Sequence, residues 1–208
     1  MAKTRVYLYP VWIRLWHAIN AISFLLLLAT GISLHYATPD SKFIINFEAS
    51  VSIHNVCAII LTFNYGLFVL GNLISKNGKY YRGWTDDMKK NIGPQVKFYI
   101  SGIFKKEKHP FPINEERKFN PLQKISYVMV MYVGMPLLII SGIGLLFPEI
   151  IVTNFFGGSG LTWTSYLHQI VGFVLSMFLI IHLYTCTLGD KPGTLFKSMV
   201  DGYHEEEH

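Results

Sequence analysis

Four long apolar stretches alternate with polar segments along the chain, at residues 11–36, 50–74, 122–147 and 162–188. Each reaches or exceeds the ~20 residues that a helix rising ~1.5 Å per residue needs to cross ~30 Å of hydrocarbon. Backbone groups in lipid must find their hydrogen bonds within the segment, so all four stretches are predicted to be helices. The expected fold class is an all-α membrane protein, a four-transmembrane-helix bundle forming a single domain over residues 1–208. The first stretch is longer than the apolar region of a cleaved signal and carries His17 inside it, so it is expected to remain as the first helix. Two connections are short: 37–49, with Pro39 and Asp40, and 148–161, with the turn cluster Gly157-Gly158-Ser159-Gly160. The third, 75–121, mixes basic residues with Tyr80, Tyr81, Trp84, Phe98, Tyr99 and Phe104. Within it, residues 89–104 are predicted to form an amphipathic helix at the membrane surface, with a solvated basic loop as the alternative. Pro136 is expected to kink the third helix, and no internal repeat is visible.

Composition agrees with the pattern, and the charges orient it. Of 208 residues, 51% are hydrophobic, which is too apolar for an ordinary aqueous domain. The 18 Lys and Arg residues divide unequally: Lys42 alone lies in a connection on one side, and the other 17 lie on the opposite side. This asymmetry puts both termini and the 75–121 loop in the cytoplasm. The formal charge of +5 is thereby a topology signal, and no nucleic-acid partner is expected.

The apolar helices carry histidines at matched depths. His168 and His182 are fourteen residues apart, about 21 Å of rise and nearly four whole turns, so they share a face at opposite depths. His17, near the start of helix one, matches His182 in level; His54, near the start of helix two, matches His168. Buried ionisable side chains in a membrane mark function. Two neutral imidazoles facing each other across a bundle ligate haem iron from both sides. Two b-type haems are therefore predicted, with His17, His54, His168 and His182 as the metal ligands. No Cys-x-x-Cys-His attachment sequence occurs, so the haems are expected to be non-covalent. Cys57 and Cys186 are expected at different depths and unpaired.

Several neighbours keep more than one reading. His35 lies five turns after His17 and is an alternative partner for His168, although its position beside Tyr36 and Pro39 favours an interfacial or propionate-contacting role. Arg14, one turn before His17, reads either as a haem-propionate partner or as a snorkelling topology residue. Met129, Met131 and Met135 read as core filling. His109 is expected in the solvated loop, and His204 and His208 in a solvated acidic tail around Glu205, Glu206 and Glu207.

Taken together, Arg14-Leu15-Trp16-His17, His54, Lys118-Phe119-Asn120-Pro121-Leu122-Gln123-Lys124, Tyr166-Leu167-His168 and Ile181-His182 make the chain resemble a known family. It is that of the four-helix di-haem cytochrome b subunits of membrane-bound formate dehydrogenases, nickel–iron hydrogenases and thiosulfate-type reductases. The resemblance implies ligation of one haem by His17 with His182 and of the other by His54 with His168. It also implies a cytoplasmic site for a quinone, menaquinone or ubiquinone, contacted by Asn120 and His182. Read by itself, Asn120-Pro121 is a helix start, with Asn as cap and Pro in the first turn, and both roles are compatible.

No nucleophile constellation, P-loop or dinucleotide fingerprint occurs, so primary substrate chemistry is expected on another subunit. The expected role is a membrane anchor and electron-transfer subunit of a respiratory oxidoreductase in a bacterial or archaeal cytoplasmic (inner) membrane. Its partners would be an exoplasmic iron–sulfur or multihaem subunit with its catalytic subunit, quinone, and the lipid bilayer. The alternatives are a self-sufficient cytochrome b561-type superoxide or ferric oxidoreductase and, from another class, a metal-ion or proton transporter.

Overall fold

The computed structural model describes residues 3–37, 43–81, 86–105, 107–111, 113–114, 116–155, 157–189 and 192–207. Pro39, Asp40, Trp84 and His208 lie outside the described residues. Four helices are long and apolar enough to cross a membrane: α1 (Val11–Tyr36), α2 (Phe47–Ile74), the composite span Pro121–Leu146, and α6 (Gly160–Cys186). Helix α2 starts ahead of the expected residue 50 because the Asn46 side chain caps it, accepting from Ala49 N at 2.8 Å.

The bundle turns its apolar residues outward. Ile22, Phe63, Ile140 and Phe173 are all exposed, whereas Ser23, Thr30, Ser33, Asn64 and Ser141 are buried between helices. Small and polar residues inside with large apolar ones outside suit a lipid surround. The dry centre is small, consisting of Leu61, Phe68, Met131, Met135 and Leu175.

The third span consists of α4 (Pro121–Met129), a π turn (Val130–Gly134) and α5 (Met135–Leu146). Pro136 explains the irregularity that the sequence reading expected as a kink. Its ring lacks an N–H and crowds the preceding turn, and a widened turn relieves that crowding. In the widened register the Met131 carbonyl faces Pro136 and finds no donor. Tyr65 on α2 supplies one, its hydroxyl donating to Met131 O at 2.9 Å.

Both chain ends meet at one end of the bundle. Strand β1 (Lys3–Tyr7) pairs antiparallel with β4 (Tyr203–Glu207), with Arg5 opposite Glu205 and Val6 opposite His204. A short helix, α7 (Thr194–Asp201), leads into β4 through Gly202, whose φ of +89° suits glycine. The Gly202 carbonyl accepts from the N–H groups of Leu8 and Tyr9. Residues 203–207 of the expected acidic tail are thus a strand, with basic β1 as its partner. Helix α3 (Asp86–Lys97) ends in a second π turn, Phe98–Gly102, and is therefore shorter than the expected 89–104. At the far end a hairpin, β2 (Asn154–Phe155) with β3 (Gly158–Ser159), starts α6.

The two helical pairs share a few positions. Pro10 and Pro121 each stand at a helix start, and Thr30-Gly31 and Ser141-Gly142 follow at the same spacing of 111 residues. In the second helices His54 matches His168 and Leu61 matches Leu175, both at a spacing of 114. Thr62 donates to Ala58 O and Ser176 to Gly172 O at matching positions. The two helical pairs, α1 with α2 and the third span with α6, thus carry similar residues at these matched positions.

Candidate functional site

The far pair of histidines comes from the matched positions of the two hairpins. His54 and His168 face each other with ring centroids 6.3 Å apart and planes at 66°. Each ring is held the same way. Thr30 Oγ1 lies 2.9 Å from His54 Nδ1, and Ser141 Oγ lies 3.0 Å from His168 Nδ1. Both hydroxyls already donate to carbonyls four residues back, Leu26 at 2.7 Å and Leu137 at 2.6 Å. They therefore accept from the ring N–H, which fixes the proton on Nδ1 and leaves the Nε2 lone pair of each imidazole for the gap. Gly142 lets the His168 ring lie close to α5, since a Cβ there would stand 3.2 Å from Cε1; at Gly31 a Cβ would make an ordinary contact with His54 Cε1 at 3.6 Å.

The second pair lies at the end with the chain termini, where His17 and His182 are also 6.3 Å apart, with planes at 57°. Its supports differ. Phe178 stacks on His182 at 5.8 Å and 13°, and Tyr127 Oη lies 3.4 Å from His182 Nδ1. Cys186 Sγ is 3.9 Å from Nε2, and Thr185 donates to the His182 carbonyl at 3.0 Å. Trp16 and Asn64 lock α1 to α2 beside His17 through two reciprocal 3.0 Å bonds to backbone carbonyls.

The common spacing tests what can sit between the rings. A metal bound by two facing ring nitrogens at about 2.0–2.1 Å, each about 1.1 Å from its centroid, sets centroids about 6 Å apart. Among the described residues no cluster of three or more His, Cys, Asp or Glu side chains could hold a bare metal ion. The pair of imidazoles in each gap would instead suit a metal whose remaining ligands come from its own macrocycle.

Other sequence candidates are placed as follows. Arg14 donates through Nη1 to the Val200 carbonyl, and its Nε is buried without a hydrogen-bond partner, a donor suited to an anionic group beside His17. His35 is exposed and stacks edge-on with Tyr36 at 4.7 Å; the structure brings it to neither pair. Asn120 is 2% exposed and part of a capping box: its Oδ1 accepts from Gln123 N at 2.9 Å, and Gln123 Oε1 accepts from Asn120 N at 3.2 Å. Its Nδ2 donates to Tyr99 Oη at 2.9 Å. A cleft of about 110 Å³ opens there, with Tyr99, Asn120, Gln123, Thr185, Leu195 and His204 in its walls. It brings the start of α4, the end of α6 and the C-terminal segment together.

Close to this end lies a buried ammonium that spacing alone did not flag. Lys118 is 2% exposed, donates to Asn77 Oδ1 at 3.0 Å and stands 4.5 Å from the Tyr9 ring and 5.3 Å from the Tyr80 ring. Burial pulls its pKa down to about 8. The sequence reading also missed Thr30 and Ser141. Their signal was a hydroxyl residue followed by glycine at matched places in helices one and three, visible only once the two helical pairs are aligned.

Residues 8–202 match the prokaryotic cytochrome b561 family. The chain belongs to that family. It is 40% identical over 204 residues to a protein of Escherichia coli (strain K12) named as a cytochrome, YdhU, a match that covers 96% of this chain and 75% of the relative. No solved structure matches the chain. The family implies b-type haem, and with four membrane-spanning helices it makes this a multi-pass membrane haem protein for electron transfer.

Proposed function

We propose that this cytochrome b561-family chain is the membrane anchor and electron-transfer subunit of a respiratory oxidoreductase, linking an exoplasmic redox partner to the quinone pool through two b-type haems. One observation carries the reading: two histidine pairs, each 6.3 Å apart, near opposite ends of a bundle that spans a membrane. Both termini lie in the cytoplasm, on the reading of the 17-to-1 basic asymmetry, in a bacterial or archaeal inner membrane. The pair His17 and His182 is then the inner ligand set and His54 and His168 the outer one.

Bound haem supplies reversible one-electron carriage. The chain's own residues do the rest. Thr30 and Ser141 orient the outer ligands and keep Nε2 unprotonated. Arg14 offers its buried Nε to a propionate of the inner group. The cleft beside Asn120 and Thr185 receives quinone on the cytoplasmic side, and the same parts serve either direction of electron flow. Proton uptake there would make transfer electrogenic, at ~2.3 kcal/mol per charge per 100 mV.

A reduced-minus-oxidised optical spectrum of the purified protein with haem quantitation tests the core of this. Two low-spin b haems per chain are expected, and a single haem would sink the assignment. Copurification of an iron–sulfur or multihaem partner supports the subunit role; full activity of the isolated chain, either reducing ferric iron with quinol as donor or oxidising superoxide with quinone as acceptor, would favour a self-sufficient enzyme. No Soret band at all would point to a transporter. For the quinone site, Asn120→Leu should impair quinone turnover with both haem spectra kept.

A further inference from the structure

We infer that Tyr99 is the hydrogen-bond donor to a quinone oxygen in the cleft between α4, α6 and the C-terminal segment, with Asn120 and Gln95 holding its hydroxyl in place. The inference rests on the cytoplasmic quinone site proposed above and changes which residue makes its key contact. Asn120 was the expected one, but its amide is largely used within the fold: Oδ1 caps α4 and Nδ2 donates to Tyr99. Gln123 uses its side-chain oxygen on the Asn120 backbone. Thr185 directs its hydroxyl proton to the His182 carbonyl. Tyr99 differs from all three. It accepts from Asn120 at 2.9 Å, and a phenol that accepts there keeps its own O–H to donate.

A second side chain acts on the same hydroxyl. Gln95 on α3 is 0% exposed and turns its amide toward Tyr99, acting in the sense of a donor to the phenol oxygen as Asn120 does. It lies behind Tyr99, outside the residues that wall the cleft, so its part is to position the phenol. Tyr99 itself stands in the π turn Phe98–Gly102, the kind of irregular turn that tilts a side chain off the regular helical face. Burial raises its pKa, so the phenol stays protonated across physiological pH and serves as a donor. A quinone carbonyl, an acceptor without a proton, is the complement of that arrangement; its reduced hydroxyl can still accept through a lone pair.

The test uses the haem-loaded full chain with menadiol as electron donor and 2-heptyl-4-hydroxyquinoline N-oxide as inhibitor. Tyr99→Phe removes only the hydroxyl and should raise the menadiol KM and the inhibitor Kd about 10-fold, the order expected for one lost hydrogen bond with a stranded amide. The haem spectra should not change. Gln95→Met should weaken both in the same direction by a smaller factor. Leu195→Trp, which fills the cleft, tests the site itself and should abolish menadiol turnover. Native KM and Kd in Tyr99→Phe alongside loss in Leu195→Trp would overturn the role of Tyr99 and leave the cleft reading standing. Native behaviour in both variants would overturn both.

Discussion

The two histidine pairs have the same spacing and different surroundings. The far pair is symmetric: each ring comes from the matched place in its helical pair and donates to a hydroxyl at about the same distance, 2.9 and 3.0 Å. The pair near the chain ends is not. The hairpin position matching His182 holds Phe68, fully buried and stacked on Trp16 at 4.5 Å, and the one matching His17 holds Val128. Each hairpin therefore carries one imidazole at this level, with Phe68 in the first and Val128 in the second at the remaining matched positions. Symmetry suits a relay between two carriers, which needs rigid ligands and little else. Asymmetry leaves one side of the pair near the chain ends close to a cleft, as the proposed exchange with a diffusing quinone would need.

The widest separation between the two regions should come from removing a ligand. His54→Ala is expected to lose the proposed outer haem entirely and leave the inner one spectrally intact; His17→Ala should do the reverse. Haem quantitation with low-temperature optical spectra checks this, and loss of both haems from either variant would show that the regions are not independent.

Next in size is a pH effect confined to the end with the termini. Because burial lowers the pKa of Lys118 to about 8, the folded chain sheds a proton there before the unfolded chain does. The cost of burying the ammonium is full below about pH 8, on the order of 3 kcal/mol, and is relieved as pH rises toward the unfolded value near 10.4. Stability should therefore rise with pH from about 8. Above about pH 10 the trend reverses, because buried Tyr9, its pKa pushed up to about 12, and Tyr81 hold their protons longer folded than unfolded. Thermal unfolding of Lys118→Met should lack the rise, whereas His54→Ala should keep it.

A smaller contrast tests the hydroxyl supports. Thr30→Val with Ser141→Ala should weaken outer haem retention about 10- to 100-fold and shift its midpoint potential, since the rings lose the groups that set their tautomer. Tyr127→Phe removes a longer contact, 3.4 Å, and should move the inner haem by no more than a few-fold. Equal effects would erase the distinction drawn between the pairs. The smallest expected effect is none: a reporter fused after His208 should be cytoplasmic and leave both spectra unchanged, and exoplasmic activity would invert the inner and outer assignments.

The sequence by itself determined that the chain is a bundle of four membrane helices and which histidines share a level. Both follow from one-dimensional quantities: apolar length against bilayer thickness, and residue count against helical rise. It also located Asn120 at a helix start and Pro136 at an irregularity, because cap and proline chemistry are local. Tertiary structure alone decided the rest. Whether Arg14 meets Val200, whether residues 203–207 are a tail or a strand, and whether Asn120 is free to touch a ligand depend on chain segments up to about two hundred positions apart. The pairing of Thr30 with His54 and of Ser141 with His168 depends on how helices rotate against one another, and serine in a helix carries no mark of what its hydroxyl will meet. Levels are set along a helix and can be counted; contacts are set between helices and have to be seen.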